Sequence, residues 1–140
     1  LIVAGFTPVI NHPERLTWGE SHFPVFKRPV EQGAWMQLTA AGLTGVFGTR
    51  AKYWGERFLG EGLTHILATD AHSGGRRRPN LTEGLEVARK LIGDAEACRL
   101  VLERPRAVLE NLPPQDFSLN QRPARAPSGV GRWFRRDRST

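Results

Sequence analysis

Three short apolar runs, each stopping at a polar cluster, set the rhythm of this chain. Thr7-Pro8-Val9-Ile10 runs into Asn11-His12-Pro13-Glu14-Arg15. Ala34-Trp35-Met36-Gln37-Leu38-Thr39 runs into a Gly-rich connection over 40–48. Ile66-Leu67-Ala68, preceded by Thr64-His65, runs into Thr69-Asp70-Ala71-His72. Runs this short suit buried strands of a parallel sheet. Pro8 falls near the start of the first run, where a missing N–H is tolerated. Pro13 stops that run and biases His12 towards extended backbone.

Between the runs the spacing turns helical. Ser21 is placed to cap a helix over 22–32, with Phe23, Phe26 and Val30 on one face. Pro24 fits its first turn, Pro29 shortens or kinks it, and Gly33 closes it. Thr49 is placed to cap a helix over 50–61 with a stripe of Tyr53, Trp54, Phe58 and Leu59, ended by Gly62. Thr82 is placed to cap a helix over 83–93 that turns Leu85, Ala88, Leu91 and Ile92 inward. A helix over 95–103 and a short last one from Pro105 to Leu112 follow, stopped by Pro113-Pro114. Strand alternating with helix predicts an α/β fold with parallel strands, in a domain over 1–114.

From Gln115 the composition changes to Arg, Pro, Ser and Gly, which predicts a disordered basic tail over 115–140. Residues 113–140 hold six Arg against two Asp, and so carry +4 of the net charge of +6. That distribution argues against specific nucleic-acid binding by the folded part. Trp133 and Phe134 among arginines leave weak contact with an anionic membrane open to the tail. No apolar run approaches the roughly 20 residues of a membrane span. The apolar start lacks a basic n-region, so it reads as a cut end rather than a signal peptide. The single cysteine, Cys98, excludes an internal disulfide, fits a reducing, cytoplasmic compartment, and reads as a buried small apolar residue.

Asp70 and His72 are two residues apart at a strand end, so their side chains can aim at one point, as metal ligands do. The same spacing also fits an Asp capping a turn beside a surface His. His12 follows another strand, and strand C-terminal ends converge on one face of α/β sheets and barrels. Two strand ends offering His and Asp-x-His favour a metal site more strongly than either does alone. Arg15 and the Arg76-Arg77-Arg78 run would flank it, and metals beside guanidinium groups suit a phosphate ester. His65, at the start of its strand, reads as structural.

These residues also carry a resemblance. Gly5 to Arg15, GFTPVINHPER, is similar to the TPVIAHPER segment of the CpsB/CapC-type tyrosine phosphatases of the PHP (polymerase and histidinol phosphatase) superfamily. Met36 to Gly48 resembles their Q-(V/I)-(N/T)-A-G-S-L-x-G-x-F-G segment, with Ala41 in place of Ser. Ala68-Thr69-Asp70-Ala71-His72, followed by Arg and Pro, resembles their (S/T)-D-A-H…R-P segment. Arg104 to Asn111 resembles their closing N-P-x-x-(I/L)-L-x-N.

The resemblance implies the C-terminal part of a distorted (β/α)7 barrel with a multinuclear manganese cluster, with iron, zinc or magnesium as alternatives. It implies His12, Asp70 and His72 as metal ligands and Arg15 as a catalytic contact to the substrate phosphate. A loop arginine would share that role: Arg77 by count from the aspartate, Arg78 by count back from the proline. The implied substrate and partner is a phosphorylated bacterial tyrosine autokinase that regulates capsule or exopolysaccharide synthesis. The family's H-x-H motif and its ligands ahead of the HPER segment have no counterpart here. The chain therefore reads as a truncated copy, completed by an N-terminal half of the barrel or by self-association. A catalytically inactive, protein-binding remnant and a phosphatase of small phosphate esters are the competing readings.

Overall fold

The computed structural model describes residues 1–72 and 79–112. The Arg76–Arg78 run, the expected disordered tail over 115–140 and its membrane contact therefore lie outside the described residues. Three parallel strands form one sheet: β1 (Val9–Asn11), β2 (Trp35–Thr39) and β3 (Ile66–Ala68), in the order β1-β2-β3. Val9 pairs with Trp35, Asn11 with Gln37, and Thr39 with Ala68. The order never reverses, so the connections step one way across the sheet. A helix α1 (Phe23–Glu31) crosses from β1 to β2, and α2 (Ala40–Leu43) with α3 (Thr49–Gly60) crosses from β2 to β3. After β3 come α4 (Thr82–Ile92), α5 (Asp94–Cys98), a π-helical turn (Arg99–Glu103) and α6 (Arg104–Leu109). Among the described residues no helix is long and apolar enough to cross a membrane.

The central strand is buried on both faces, as parallel strands are. Met36 and Leu38 join the hydrophobic core with Phe23, Phe26, Leu43, Trp54, Phe58, Leu67, Ala88 and Leu100. Phe58 is its hub, ringed by Phe26 at 5.2 Å, Trp54 at 5.5 Å and Phe23 at 6.0 Å. Burying such a ring contributes about 2–3 kcal/mol. Trp35, Gln37 and Thr39 occupy the alternate face of β2. There the indole of Trp35 stacks on His65 at 5.1 Å, nearly parallel.

His65 is structural, as its place ahead of the strand predicts. It is buried, and its Nδ1 accepts the Met36 amide at 3.1 Å. Burial, with the Arg104 charge nearby, lowers its pKa to about 3, so the ring is neutral.

The helix stops follow the glycines, and the starts depart from expectation. Gly33 and Gly62 sit at positive φ, each followed by a backbone bond back across the end of α1 or α3 (Ala34 N to Pro29 O, Leu63 N to Phe58 O, both 2.9 Å). Ser21, Thr49 and Thr82 cap nothing. Ser21 contacts His22 instead, Thr49 and Thr82 are the first residues of their helices, and Asn80 Oδ1 accepts the Thr82 amide at 3.2 Å. The expected loop over 40–48 contains α2. The first strand lies at Val9–Asn11 rather than 7–10, because Pro8 has no N–H to give and only its carbonyl pairs, accepting from Trp35 at 2.8 Å. Leu91 points outward at 43% exposure, and Cys98 is half-buried. The helix expected over 95–103 widens into the π turn after Cys98.

Candidate metal and phosphate site

The C-terminal ends of β1, β2 and β3 bring the site together. His12 follows β1 and Asp70 follows β3, and both adopt the left-handed conformation, at φ 55° and 51°. His12 is therefore not extended, although it precedes Pro13. Non-glycine residues in this region cost of order 1–3 kcal/mol, so the surroundings must impose it. For His12 they do so through its amide, which donates to Gln37 O at 3.2 Å, and its ring. For Asp70 a local turn helps, with the Ala71 amide donating to Thr69 Oγ1 at 3.3 Å.

Asp70 is the hub. His12 Nε2 lies 3.5 Å and His72 Nε2 3.2 Å from its Oδ1, while Arg15 Nη1 lies 3.4 Å from its Oδ2. The aspartate is 16% exposed and His72 is 64% exposed, so the cluster opens to solvent. Metal–ligand bonds of about 2.1 Å separate neighbouring donors by roughly 3.0–3.4 Å, close to the two separations found here. In kind, and pairwise in distance from Asp70, the imidazole and carboxylate donors suit metal ligation. Among the described residues, however, no group of three His, Cys, Asp or Glu is arranged to hold one by itself. The structure thus brings His12, Asp70, His72 and Arg15 together, while Arg77 and Arg78 lie outside the described residues.

Two supporting residues escape a sequence reading. Glu14, in the polar cluster between Pro13 and the exposed Arg15, is 1% exposed. Its Oε1 accepts the Thr39 amide at 3.0 Å, and its Oε2 has no partner among the described residues. Burial pushes its pKa up, opposed by the Thr39 amide, its own amide and the Thr39 hydroxyl. Thr39, fully buried at the end of β2, places Oγ1 2.9 Å from His12 Nδ1. The one signal available in the sequence was Gly42, which leaves room for Glu14. A Cβ there would lie 3.0 Å from the glutamate Cγ.

Arg15 also faces away from Asp70. Its guanidinium lies over the Phe47 ring, 4.7 Å from the centroid. Beside it runs a groove of about 330 Å³ lined by Glu14, Arg15, Leu16, Thr17, Phe47, Arg50 and Ala51. Arg50 is held to its wall by a bond to the Trp18 carbonyl. A cation flanked by an aromatic ring, next to imidazole and carboxylate donors, can bind an anion and orient it.

Residues 1–110 match the family described as capsular polysaccharide synthesis, CpsB/CapC. The chain is 33% identical over 111 residues to the tyrosine-protein phosphatase YwqE of Bacillus subtilis, covering 79% of this chain and 43% of that protein. It is 31% identical over 119 residues to the putative tyrosine-protein phosphatase CapC of Staphylococcus aureus, covering 81% and 46%. It is 26% identical over 114 residues to the tyrosine-protein phosphatase CpsB of Streptococcus pneumoniae, covering 78% and 47%. A crystal structure from the pair YwqE of Bacillus subtilis and CpsB of Streptococcus pneumoniae, described as unique metal-dependent tyrosine phosphatases, superposes with a TM-score of 0.72 at 32% identity. That match covers 80% of this chain and 45% of the other. The chain spans a little under half the length of the curated relatives it matches. With a parallel α/β sheet whose strand ends gather the site, the chain belongs to the CpsB/CapC family.

Proposed function

We propose that this chain forms one wall of a metal-dependent protein-tyrosine phosphatase site. The observation that supports it best is the meeting of His12, Asp70, His72 and Arg15 at the ends of β1 and β3. His12, Asp70 and His72 would hold metal, with manganese as the first choice. When bound, the metal supplies a Lewis acid and a hydroxide from water near neutral pH. Arg15 holds the equatorial oxygens of the phosphoryl group, steadied by Phe47 beneath it and Asp70 beside it. The Arg77 or Arg78 guanidinium would take a second oxygen. The three-stranded sheet belongs to a (β/α)7 barrel whose further ligands come from other residues, in a longer polypeptide or a second copy. The substrate is phosphotyrosine on a bacterial tyrosine autokinase that controls capsule or exopolysaccharide synthesis.

A second reading has its own observation. The described residues offer no group of three arranged to hold a metal. On that reading the 140-residue chain is catalytically inactive and binds a protein partner. One assay separates the readings: manganese-dependent turnover of phosphotyrosine peptide, phosphoserine peptide and small sugar phosphates, measured over a range of chain concentrations. Phosphotyrosine turnover that rises faster than the chain concentration and disappears in Asp70→Asn supports the phosphatase completed by self-association. Preference for the sugar phosphates overturns the substrate. No turnover at any concentration favours the second reading for this chain.

A further inference from the structure

The guanidinium of Arg15 borders two different spaces. Its Nη1 lies 3.4 Å from Asp70 Oδ2, beside the candidate metal donors. It also covers the Phe47 ring, where the groove of about 330 Å³ opens. His12, Asp70 and His72 take no part in lining that groove. Small-ligand sites run to about 300–1,000 Å³, so this one has room for a side chain or two and not for a long segment. The groove thus adjoins the place of a phosphoryl group held by Arg15 without being part of it.

Its walls are partly apolar and partly cationic. Leu16, Phe47 and Ala51 are the apolar part, and Leu16 stays 41% exposed. Arg15 and Arg50 are the cations. Glu14 lines the groove too, but it is 1% exposed and its Oε1 is taken by the Thr39 amide, so the charge offered to an incoming ligand is positive. Arg50 stands where local preference disfavours it. It lies in the first turn of α3, where a cation opposes the helix dipole, and that turn has neither an acid nor a side-chain cap. Lys27, Lys52 and Arg106 each pair with an acid four residues on. Arg50 meets Tyr53 and Trp54 at the spacings where such a partner would stand, and it has no acidic partner among the described residues. One of its N–H groups donates to the Trp18 carbonyl, which holds the guanidinium at the wall and leaves it further donors. A cation set against the helix dipole, unpaired with any acid and fixed by a backbone carbonyl is suited to an anion from outside.

We propose that this groove is a specificity subsite for an acidic side chain of the substrate peptide, next to its phosphotyrosine: Arg50 holds the carboxylate, and Leu16 and Phe47 cover the methylene stem. The inference rests on the phosphatase reading, in which Arg15 holds the phosphoryl group, and deepens it by naming the class of peptide. Charge complementarity selects the occupant. A basic side chain meets two guanidinium groups there, and an apolar one leaves Arg50 without an anion. A guanidinium donates to a carboxylate through charge-assisted hydrogen bonds, stronger than those between neutral groups.

The test is the affinity of a peptide series for the 140-residue chain in buffer containing manganese, read by fluorescence anisotropy. Each peptide carries a non-hydrolysable phosphonate mimic of phosphotyrosine, flanked on both sides by Glu, Gln, Leu or Lys. The Glu peptide should bind roughly three- to fivefold more tightly than the Gln peptide, the size of an exposed charge pair, and the difference should fade with salt. Arg50→Gln should remove that difference. Arg50→Glu, which suits a helix start, should transfer the preference to the Lys peptide. Equal affinity of the Glu and Gln peptides for the unsubstituted chain overturns the subsite, whether or not either variant folds. So does a Glu preference that survives in Arg50→Gln, tighter binding of the Leu peptide, or no binding of any peptide. The phosphatase reading answers to a separate comparison, in which Phe replaces the mimic in the Gln peptide and should weaken its binding. No weakening there, with the Glu preference intact, sinks the phosphate site and keeps an acid-binding groove. Weakening with no Glu preference sinks the subsite alone.

Discussion

Arg15 Nη1 and Asp70 Oδ2 lie 3.4 Å apart although 55 residues separate them in the chain. The contact joins the turn after β1 to the end of β3, and spans β2 between them. It sets a cation and an acid side by side at the sheet end, where neither strand alone makes a site. Arg15 is 36% exposed on its side chain, so the pair adds little to stability.

Removing that cation tests its role. If the proposed activity holds, in a form active on a phosphotyrosine peptide Arg15→Ala should lower kcat/KM by roughly 100–1,000-fold, the usual loss for an anion-stabilising donor. Arg15→Lys should recover only part of it, because an ammonium cannot reproduce the planar fork. Steady-state kinetics on the two variants reads this directly. Equal kcat/KM in all three would remove Arg15 from the phosphate site.

His65 makes stability depend on pH. Its pKa is about 3 in the fold against about 6.5 unfolded, so the unfolded chain binds the proton more readily. The associated stability is complete above pH 6.5 and is lost as pH falls towards 3. Between about pH 6.5 and 4 the loss should reach on the order of 3 kcal/mol. Urea unfolding across that range measures it, and His65→Gln should flatten the curve. Glu14 works in the opposite sense. Its raised pKa gives stability that is complete below the ordinary carboxylate value and declines as pH rises through the folded value.

Arg104 is 1% exposed and its Nη2 donates to Glu96 Oε1 at 2.7 Å. Taking one partner from a buried pair strands the other, at a cost of about 3–5 kcal/mol. Arg104→Ala should approach the lower figure, because Glu96 keeps Arg99 at 3.0 Å. Chemical denaturation of the variant checks the value, and a change under 1 kcal/mol would contradict it.

Two glycines should rank by what a methyl would meet. At Gly84, on α4, a Cβ would fall 2.6 Å from Ala40 Cβ and 2.7 Å from its Cα, which is backbone and cannot yield. At Gly42 the obstacle is the Glu14 side chain at 3.0 Å. Overpacking costs typically about 1–3 kcal/mol, sometimes more. Gly84→Ala should therefore lower the melting temperature more than Gly42→Ala, and the reverse order would mean that α4 can shift off α2.

Much of this was legible in the sequence. The three apolar runs became β2, β3 and, displaced by the proline, β1. The spacing of Phe23, Phe26 and Val30, and of Trp54, Phe58 and Leu59, matched the buried faces of α1 and α3. Helix ends at Gly33 and Gly62 were readable because glycine answers a local demand for positive φ. Helix starts at Ser21, Thr49 and Thr82 were misread because capping depends on the φ/ψ of one residue, which tertiary packing sets. The meeting of His12, Asp70 and His72 was expected from strand ends. Glu14 and Arg104 were not expected in the interior, since charged residues are mostly exposed and only the fold shows the partners that bury them.

The most direct test of the site is manganese binding to the chain with its further ligands supplied, in a longer polypeptide or at concentrations that allow self-association, measured calorimetrically beside Asp70→Asn and His72→Ala. The account predicts binding in the unsubstituted chain that weakens at least roughly tenfold in each variant. Equal binding in all three would contradict the assignment of these side chains as donors.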